Sequence, residues 1–571
     1  MAKQDHHRVP DMEIKEGVFS AAKNGNLSDL KVFLDHKTRE EVSTLVSAKT
    51  SNGSTPLVVS CWHGHKEVVE YLVDKCCASI EQTGTITMGK AGSITMGRDS
   101  VGNIAEAPPL WCAAAAGHLN IVEMLVKSEA RIDVDAYRMT PLLVACVKPH
   151  LHIINYFINE KKELLTKKER IDAFELLGAT CINKEQDIPG ALELWKTAMK
   201  ERYEDGILVI PKVINKSPIS AYNNMLEVET LMELEQIISE PDTLQMQALM
   251  VRERILGPAN PITSFWIIYR GSMIANTGHF NRGIILWMYA LEMQQNYSIS
   301  LSIMVHTFFG LFCLFANCLE RSQSTLTKLE RSVNEISNTI PMRVKFSDII
   351  MVFRRMIKVV GEEHCALLDA GDLRNRDRDS FDKTIVIFVL LVCLLTKQIP
   401  HLEKEKVSEF KQVVSQFVTA GFKVKEGSSP LHIACCQGIY GFLDSRIMIT
   451  SFHICPSFPS LPTINLLLEC GAPIDAMDND GNTALHTAAK NQPVDAKVIH
   501  SLLQNGAHFD LVNKQKKTFY DLLQGTPLHE ITKSAVHFHS KLECLAARVV
   551  RKHDLELDSM PPNLKDFVLN H

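Results

Sequence analysis

What this chain lacks first is the cysteine pattern of a metal or disulfide protein. Its fifteen cysteines are scattered along 571 residues, an odd number, with no Cys-x-x-Cys and no Cys/His set at zinc spacing. Cys76-Cys77 and Cys435-Cys436 are adjacent pairs, poorly placed to ligate one tetrahedral ion. The reading is free thiols used as small apolar groups in a reducing compartment, the cytoplasm, with nuclear entry open. A basic excess is missing too. Sixty-six Asp+Glu against 61 Lys+Arg leave a net charge of -5, which provides no footprint for nucleic acid. Hydrophobic runs are short: Thr384 to Leu395 is about twelve residues, the stretch from Phe308 to Cys318 is similar, and a spanning helix needs roughly twenty. Both read as buried helices, and no membrane partner is expected. The polar start, Met1 to Asp11, has no apolar core of a signal peptide. No Walker loop, dinucleotide fingerprint, HExxH or GxSxG is present, so neither catalysis nor a cofactor is expected.

What is present is repetition. Thr55-Pro56-Leu57 opens a unit that reaches Gly64-His65 and continues with Val68-Val69-Glu70-Tyr71-Leu72-Val73. Pro108-Pro109-Leu110-Trp111 repeats it, through Gly117-His118, and Thr140-Pro141-Leu142 starts a third unit. Ala21-Ala22-Lys23-Asn24-Gly25 resembles a preceding cap. A Thr-Pro-Leu helix start, small residues at the crossing and a Gly-His turn define ankyrin repeats, four of which exceed the minimum of about three. Proline sits at the first helical turn, where its missing N–H costs nothing. Near the other end, Ser429-Pro430-Leu431-His432 and Asn482-Thr483-Ala484-Leu485-His486 begin two further units, and Thr518-Phe519-Tyr520 a degenerate one. Pro56 and Pro109 lie 53 residues apart, about twenty more than the period. Ile86-Thr87-Met88-Gly89 and Ile94-Thr95-Met96-Gly97 within that excess read as a hairpin finger.

Between the stacks, periodicity predicts helices. Gly178 with Ala191, Trp195 and Ala198, and Gly271 with Gly283, Trp287 and Ala290, form tetratricopeptide-like patterns of small crossing residues with a large ring nearby. Arg374 to Asp382, with alternating charges, is expected as an exposed loop. The fold class is all-α. The expected organisation is an ankyrin stack at 12–168 with a hairpin-like insert at 82–106, a helical-repeat region at 169–420, a second ankyrin stack at 421–535 and a terminal element at 536–571.

In that terminal element Leu542, Ala546 and Val550 stand at i, i+4 and i+8 with Leu545 beside them, an apolar helical stripe. Met560-Pro561 follows, with Leu564 and Phe567 at helical spacing. Such a stripe either caps the last repeat or docks into a partner's groove. Taken with Ala107-Pro108-Pro109-Leu110-Trp111, Phe174-Glu175-Leu176-Leu177-Gly178-Ala179, the stretch Val251 to Pro258 and Cys544-Leu545-Ala546-Ala547-Arg548-Val549, the chain resembles the Fem family of ankyrin-repeat substrate receptors for cullin-RING ubiquitin ligases, on the branch with the vertebrate A and C paralogues.

The resemblance implies a VHL-type box. Leu542, Leu545, Ala546 and Val550 would bind elongin, as the elongin B/C pair, and Pro561, Leu564 and Phe567 would select the cullin with its RING subunit. The N-terminal stack would hold protein substrates by their C-termini, in this branch ends at or near arginine, with Asp99, Trp111 and Lys148 at the substrate site. Departures are visible. One repeat, at Thr140, leads straight into the helical middle where the family has several. Ala145-Cys146-Val147-Lys148 carries a lysine where the family places an acid against the ligand's arginine, and 436–458 is unlike the family. The alternative is a scaffold, or a receptor with impaired capture of its ligand.

Overall fold

The structure is a computed structural model and describes residues 8–50, 53–86, 104–185, 187–204, 206–214, 217–297, 299–329, 344–370, 375–439 and 456–524. The chain forms two compact units, Met1–Ile274 with Ile285–Ile299, and Ala275–Ile284 with Ser300–His571. Helices dominate, as the sequence predicts; the described strands are two short hairpins.

The first unit opens with α1 (Arg8–Asn24), α2 (Leu27–Leu34) and α3 (Arg39–Ser47). Helix pairs then alternate: α4 (Pro56–His63) with α5 (Lys66–Glu70), α6 (Pro109–Ala116) with α7 (Leu119–Lys127), and α8 (Pro141–Val147) with α9 (Leu151–Asn155). The local chemistry dictates each start. Thr55 Oγ1 accepts the Val58 N–H at 3.2 Å and Thr140 Oγ1 that of Leu143 at 3.2 Å, capping donors that have no helical partner. Proline follows at the first helical position in α4, α6 and α8. Buried alanines Ala113, Ala114 and Ala115 remove side-chain bulk, so α4, α6 and α8 pack in succession.

The insert between α5 and α6 has the expected hairpin base. Strand β1 (Gly84–Ile86) pairs antiparallel with β2 (Ile104–Ala107), Gly84 opposite Ala107 and Ile86 opposite Ile104. Residues 87–103, including most of the two Ile-Thr-Met-Gly motifs and Asp99, lie outside the described residues.

No break separates this stack from the helices beyond it, because α8 packs directly on α10 (Lys167–Thr180). Helix α10 nests against α11 (Ile188–Glu201) around the predicted glycine and tryptophan. A Cβ on Gly178 would lie 2.5 Å from Trp195 Nε1, and that indole N–H donates to the Glu175 carbonyl at 2.9 Å. Chain segments beyond α11 are held by buried ions. Hairpin β3 (Tyr203–Glu204) and β4 (Ile207–Leu208), α12 (Leu231–Ile237) and α13 (Pro241–Leu256) follow α11. Arg202, Lys212 and Arg254 converge on Asp172, Glu175 and Glu227, with Arg202–Glu175 at 2.9 Å, Lys212–Glu227 at 3.0 Å and Arg254–Glu227 at 2.9 Å. Three buried cations balance three carboxylates, the condition under which buried ions are tolerated, and the exposed Lys168 reaches Asp172 from outside at 2.7 Å. Helices α14 (Pro261–Asn276) and α15 (Phe280–Asn296) add Trp266, Ile267, Leu286, Ala290 and Met293 to an apolar cluster with Tyr222 and Met246.

The second unit corrects two expectations. Its helix α16 (Leu301–Leu329) contains Leu301–Leu319, a 19-residue stretch long and apolar enough to cross a bilayer, so the run at Phe308 is not short. Sixty-seven per cent of that stretch is buried inside the protein, and α18 packs along it. After α17 (Phe346–Ala370), the segment expected as a charged loop is helical: Asn375 to Asp382 begin α18 (Asn375–Thr396), and Arg374 lies outside the described residues. The reason is spacing. Arg378–Asp382 at 3.2 Å and Asp379–Lys383 at 2.6 Å are i,i+4 pairs, which alternating charge places on one helix face. Phe388 of α18 stacks on Phe417 of α19 (Lys404–Thr419) at 3.6 Å between centroids.

The second ankyrin stack comprises α20 (Pro430–Cys435), α21 (Leu461–Glu469), α22 (Ala484–Ala489), α23 (Ala496–Gln504) and α24 (Phe519–Leu522). Here histidine does the capping. His432 Nδ1 faces Ser429 Oγ at 2.8 Å and its Nε2 the Asn482 carbonyl at 2.9 Å; His486 repeats this with Thr483 Oγ1 at 2.9 Å and the Lys517 carbonyl at 3.1 Å. Residues 440–455 and 525–571 lie outside the described residues, among them much of the divergent segment 436–458.

Candidate protein-binding site

In the N-terminal stack the residue at the histidine's place is Val58, Trp111 or Leu143, and cross-repeat bonding moves to the other end of the helices. His65 Nε2 meets the Lys23 carbonyl at 2.9 Å, His118 Nε2 that of Trp62 at 3.2 Å, and His150 Nε2 that of Ala115 at 3.1 Å. These rungs need glycine one repeat earlier. Gly64 sits at φ 80° and a Cβ there would lie 2.5 Å from the His118 ring. The imidazoles are therefore structural links, the role their turn positions predict. Asn24, His63, Ala116 and Lys148 occupy one repeat position along the row, and Trp62, Ala115 and Val147 the position before it.

In this row Lys148 is the cation, and His63 is kept neutral at pH 7. Burial, with the charges of His65, Lys23 and His118, holds the His63 imidazole below its ordinary value. The finger borders the opposite ends of the same helices: a Cβ on Gly84 would lie 3.1 Å from the Thr55 nitrogen and 3.2 Å from Val58. A clamp fixes the finger base. Glu106 of β2 pairs with Lys49 at 2.7 Å and accepts Thr83 Oγ1 at 3.2 Å, while Gln82 Nε2 donates to the Ser47 carbonyl at 2.8 Å. The Lys49 ammonium holds the exposed Glu106 carboxyl below its usual range. Rigid helix ends with an ordered finger base can present a surface to a protein; among the described residues no group of three His, Cys, Asp or Glu side chains could hold a metal.

The expected site residues fare differently. Trp111, in the first turn of α6, is 2% exposed and its Nε1–H has no acceptor among the described residues. It supports the wall from within and offers no surface in this structure. Lys148 caps α8, half-buried, its N–H bonded to the Val144 carbonyl. Asp99, and the tail residues Leu542, Leu545, Ala546, Val550, Pro561, Leu564 and Phe567, lie outside the described residues. Trp62, half-buried, stands where the aligned Pro-Leu helices carry alanine and valine. The Lys49–Glu106 clamp leaves no local signal, since its partners are 57 residues apart.

Paired short helices, glycine turns and histidine rungs define an ankyrin-repeat protein. Ankyrin-repeat profiles match residues 52–84, 96–168, 452–496 and 480–514. Over nearly its full length the chain is similar to Protein fem-1 homolog C of Bos taurus and of Homo sapiens, each 31% identical over 656 aligned residues covering 98% of this chain and 100% of the relative. Protein fem-1 homolog CG6966 of Drosophila melanogaster is 30% identical over 694 residues, with the same coverage. The chain belongs to the Fem-1 family. Both aligned lengths exceed its 571 residues, so these relatives carry segments absent here.

Proposed function

We propose that this chain is a non-catalytic substrate-recognition adaptor of a cullin-RING ubiquitin ligase. In this reading the N-terminal ankyrin stack grips the C-terminal end of a protein substrate. The tail binds elongin B/C through Leu542, Leu545, Ala546 and Val550, and selects a cullin, with its RING subunit, through Pro561, Leu564 and Phe567. The contribution to reaction is proximity, since the adaptor holds the substrate near a ubiquitin-loaded enzyme. The observation that carries the reading is the likeness to Fem-1 relatives along 98% of the chain.

Lys148 favours a second reading for the N-terminal stack. An ammonium beside an arginine-ended ligand is a like-charge contact, which costs several kcal/mol when desolvated. The chain would then occupy ligase components as a scaffold, or as a receptor that captures arginine ends poorly. Affinity purification from cells separates the possibilities: elongins B and C and the cullin are recovered with the wild-type chain and depleted with Leu542→Ala. Equal recovery with the variant rejects the tail assignment. For the N-terminal stack, a peptide ending in arginine that binds no better than its glycine-ended version rejects arginine capture and leaves ligase docking standing.

A further inference from the structure

Among the described cysteines, Cys77 and Cys365 are the exposed ones, and they have different surroundings. Cys77 follows Cys76 directly, at the turn that leaves the second helix of the first repeat, and Arg39 Nη2 of α3 donates to its sulfur at 4.0 Å. Its backbone is left-handed, φ 54°. Cys76 is buried, 7% exposed, with its sulfur against Tyr71, whose hydroxyl donates to Asp35 Oδ1. Burial pushes the Cys76 thiol up to about 11, so it stays protonated at neutral pH. An accessible sulfur beside a cation, with a second thiol one residue away, has the layout of a peroxide-sensitive cysteine and its resolving partner.

We propose that Cys77 and Cys76 are a redox pair that a hydroperoxide closes into a disulfide. The Cys77 thiolate attacks the peroxide's terminal oxygen; an S–O bond forms, the O–O bond breaks, and the departing alkoxide or hydroxide takes a proton. Sulfur is oxidised by two electrons to sulfenic acid and the peroxide is reduced. The Cys76 thiol then attacks that sulfur, an S–S bond forms, and the S–O bond breaks with loss of water that carries the thiol proton. Neighbouring Cα atoms stand about 3.8 Å apart, below the usual disulfide span, so the bond is readily reduced and the change reversible. Closure removes one sulfur from Arg39 and the other from Tyr71, loosening the turn that feeds β1 of the finger.

The digest makes the test direct, because the tryptic peptide 76–90 contains both thiols and no other, and peptide 359–374 contains Cys365 alone. The full-length protein is treated with limiting hydroperoxide, alkylated and mapped by mass. The expected result is peptide 76–90 lighter by two hydrogens and unalkylated, restored by dithiothreitol, while Cys365 is alkylated. Cys76→Ser should stop the reaction at a Cys77 sulfenic acid captured by dimedone, and Arg39→Ala should slow oxidation several-fold with Cys365 unaffected. Oxidation of Cys77 and Cys365 at equal rates, or Cys77 passing to sulfinic acid with Cys76 still free, overturns the proposal.

Discussion

Glu175→Gln should be among the most damaging single substitutions outside the apolar core. The Glu175 side chain is 2% exposed, and Arg202, 5% exposed, has it as its carboxylate partner at 2.9 Å; its other described acceptor is the Ile210 carbonyl at 3.2 Å. Lys212 lies 3.6 Å from the same carboxylate, and Arg254 is hydrogen-bonded to it. Burial alone would raise the Glu175 carboxyl, but Arg254, Lys212 and Arg202 outweigh it and hold it below the ordinary carboxylate value. Glutamine keeps the shape and removes the charge, leaving three cations for two carboxylates. Breaking a buried pair on one side costs about 3–5 kcal/mol. Glu193→Gln, at an exposed helix position, is the control and should stay within about 0.5 kcal/mol. Hydrogen exchange in α10, α11 and α13 reads the local cost without assuming that both units unfold together. The sign with pH follows from the lowered value. The carboxylate's stabilisation is present above 4.5, its unfolded value, and is lost as pH falls through the lower folded one. The gap between wild type and Glu175→Gln should therefore be widest at neutral pH and close in acid. Equal protection in Glu175→Gln and Glu193→Gln at pH 7 would refute the reasoning.

Three further outcomes are expected. Gly64→Ala should lower protection of α4 and α6 by more than the roughly 1–2 kcal/mol of a left-handed L residue, because its Cβ meets the His118 ring; Gly206→Ala, at φ 82° with nothing within 4 Å, should show the backbone strain alone. Burial holds the His486 imidazole below its ordinary value of 6.5, so protonation favours the unfolded state, and exchange protection in α22 and α24 should drop as pH falls below 6.5 and on toward the folded value. A His486→Gln variant with an unchanged pH dependence would assign that loss elsewhere. Gly178→Ala drives a Cβ into the Trp195 indole and should shift its fluorescence and open the α10–α11 hairpin; wild-type emission and exchange would contradict the packing.

Legibility in the sequence follows the range of the interaction. Thr55-Pro56-Leu57 and Gly64-His65 are readable because caps and turns are decided within a few residues; the over-long repeat marks an insert, but its described base pairs Gly84–Ile86 with Ile104–Ala107, while all but the first residue of the two Ile-Thr-Met-Gly motifs lies outside the described residues. The Gly178–Trp195 crossing is readable because a small residue and a large ring one hairpin apart imply each other. The charged core is not: Glu175 and Arg254 are 79 residues apart, and each alone looks like a solvated helix residue. Asn375 to Asp382 misleads because charge suggests exposure, when i,i+4 pairing and the Arg378 guanidinium over Phe381, 5.1 Å away, build a helix start. The length of α16 is obscured because Thr307 and Asn317 interrupt the apolar run without interrupting the helix. Of the expected substrate residues, Trp111 is named only through the family resemblance, and the first helical turn of α6 buries it.

The adaptor reading stands or falls on the tail. Titration of purified elongin B/C into the full-length chain measures it most directly, comparing wild type with Leu542→Ala. A buried leucine anchor is worth about 2 kcal/mol, so the expected outcome is saturable one-to-one binding that weakens by roughly thirtyfold in the variant. No binding by the wild-type chain, or the same affinity in both proteins, would contradict it.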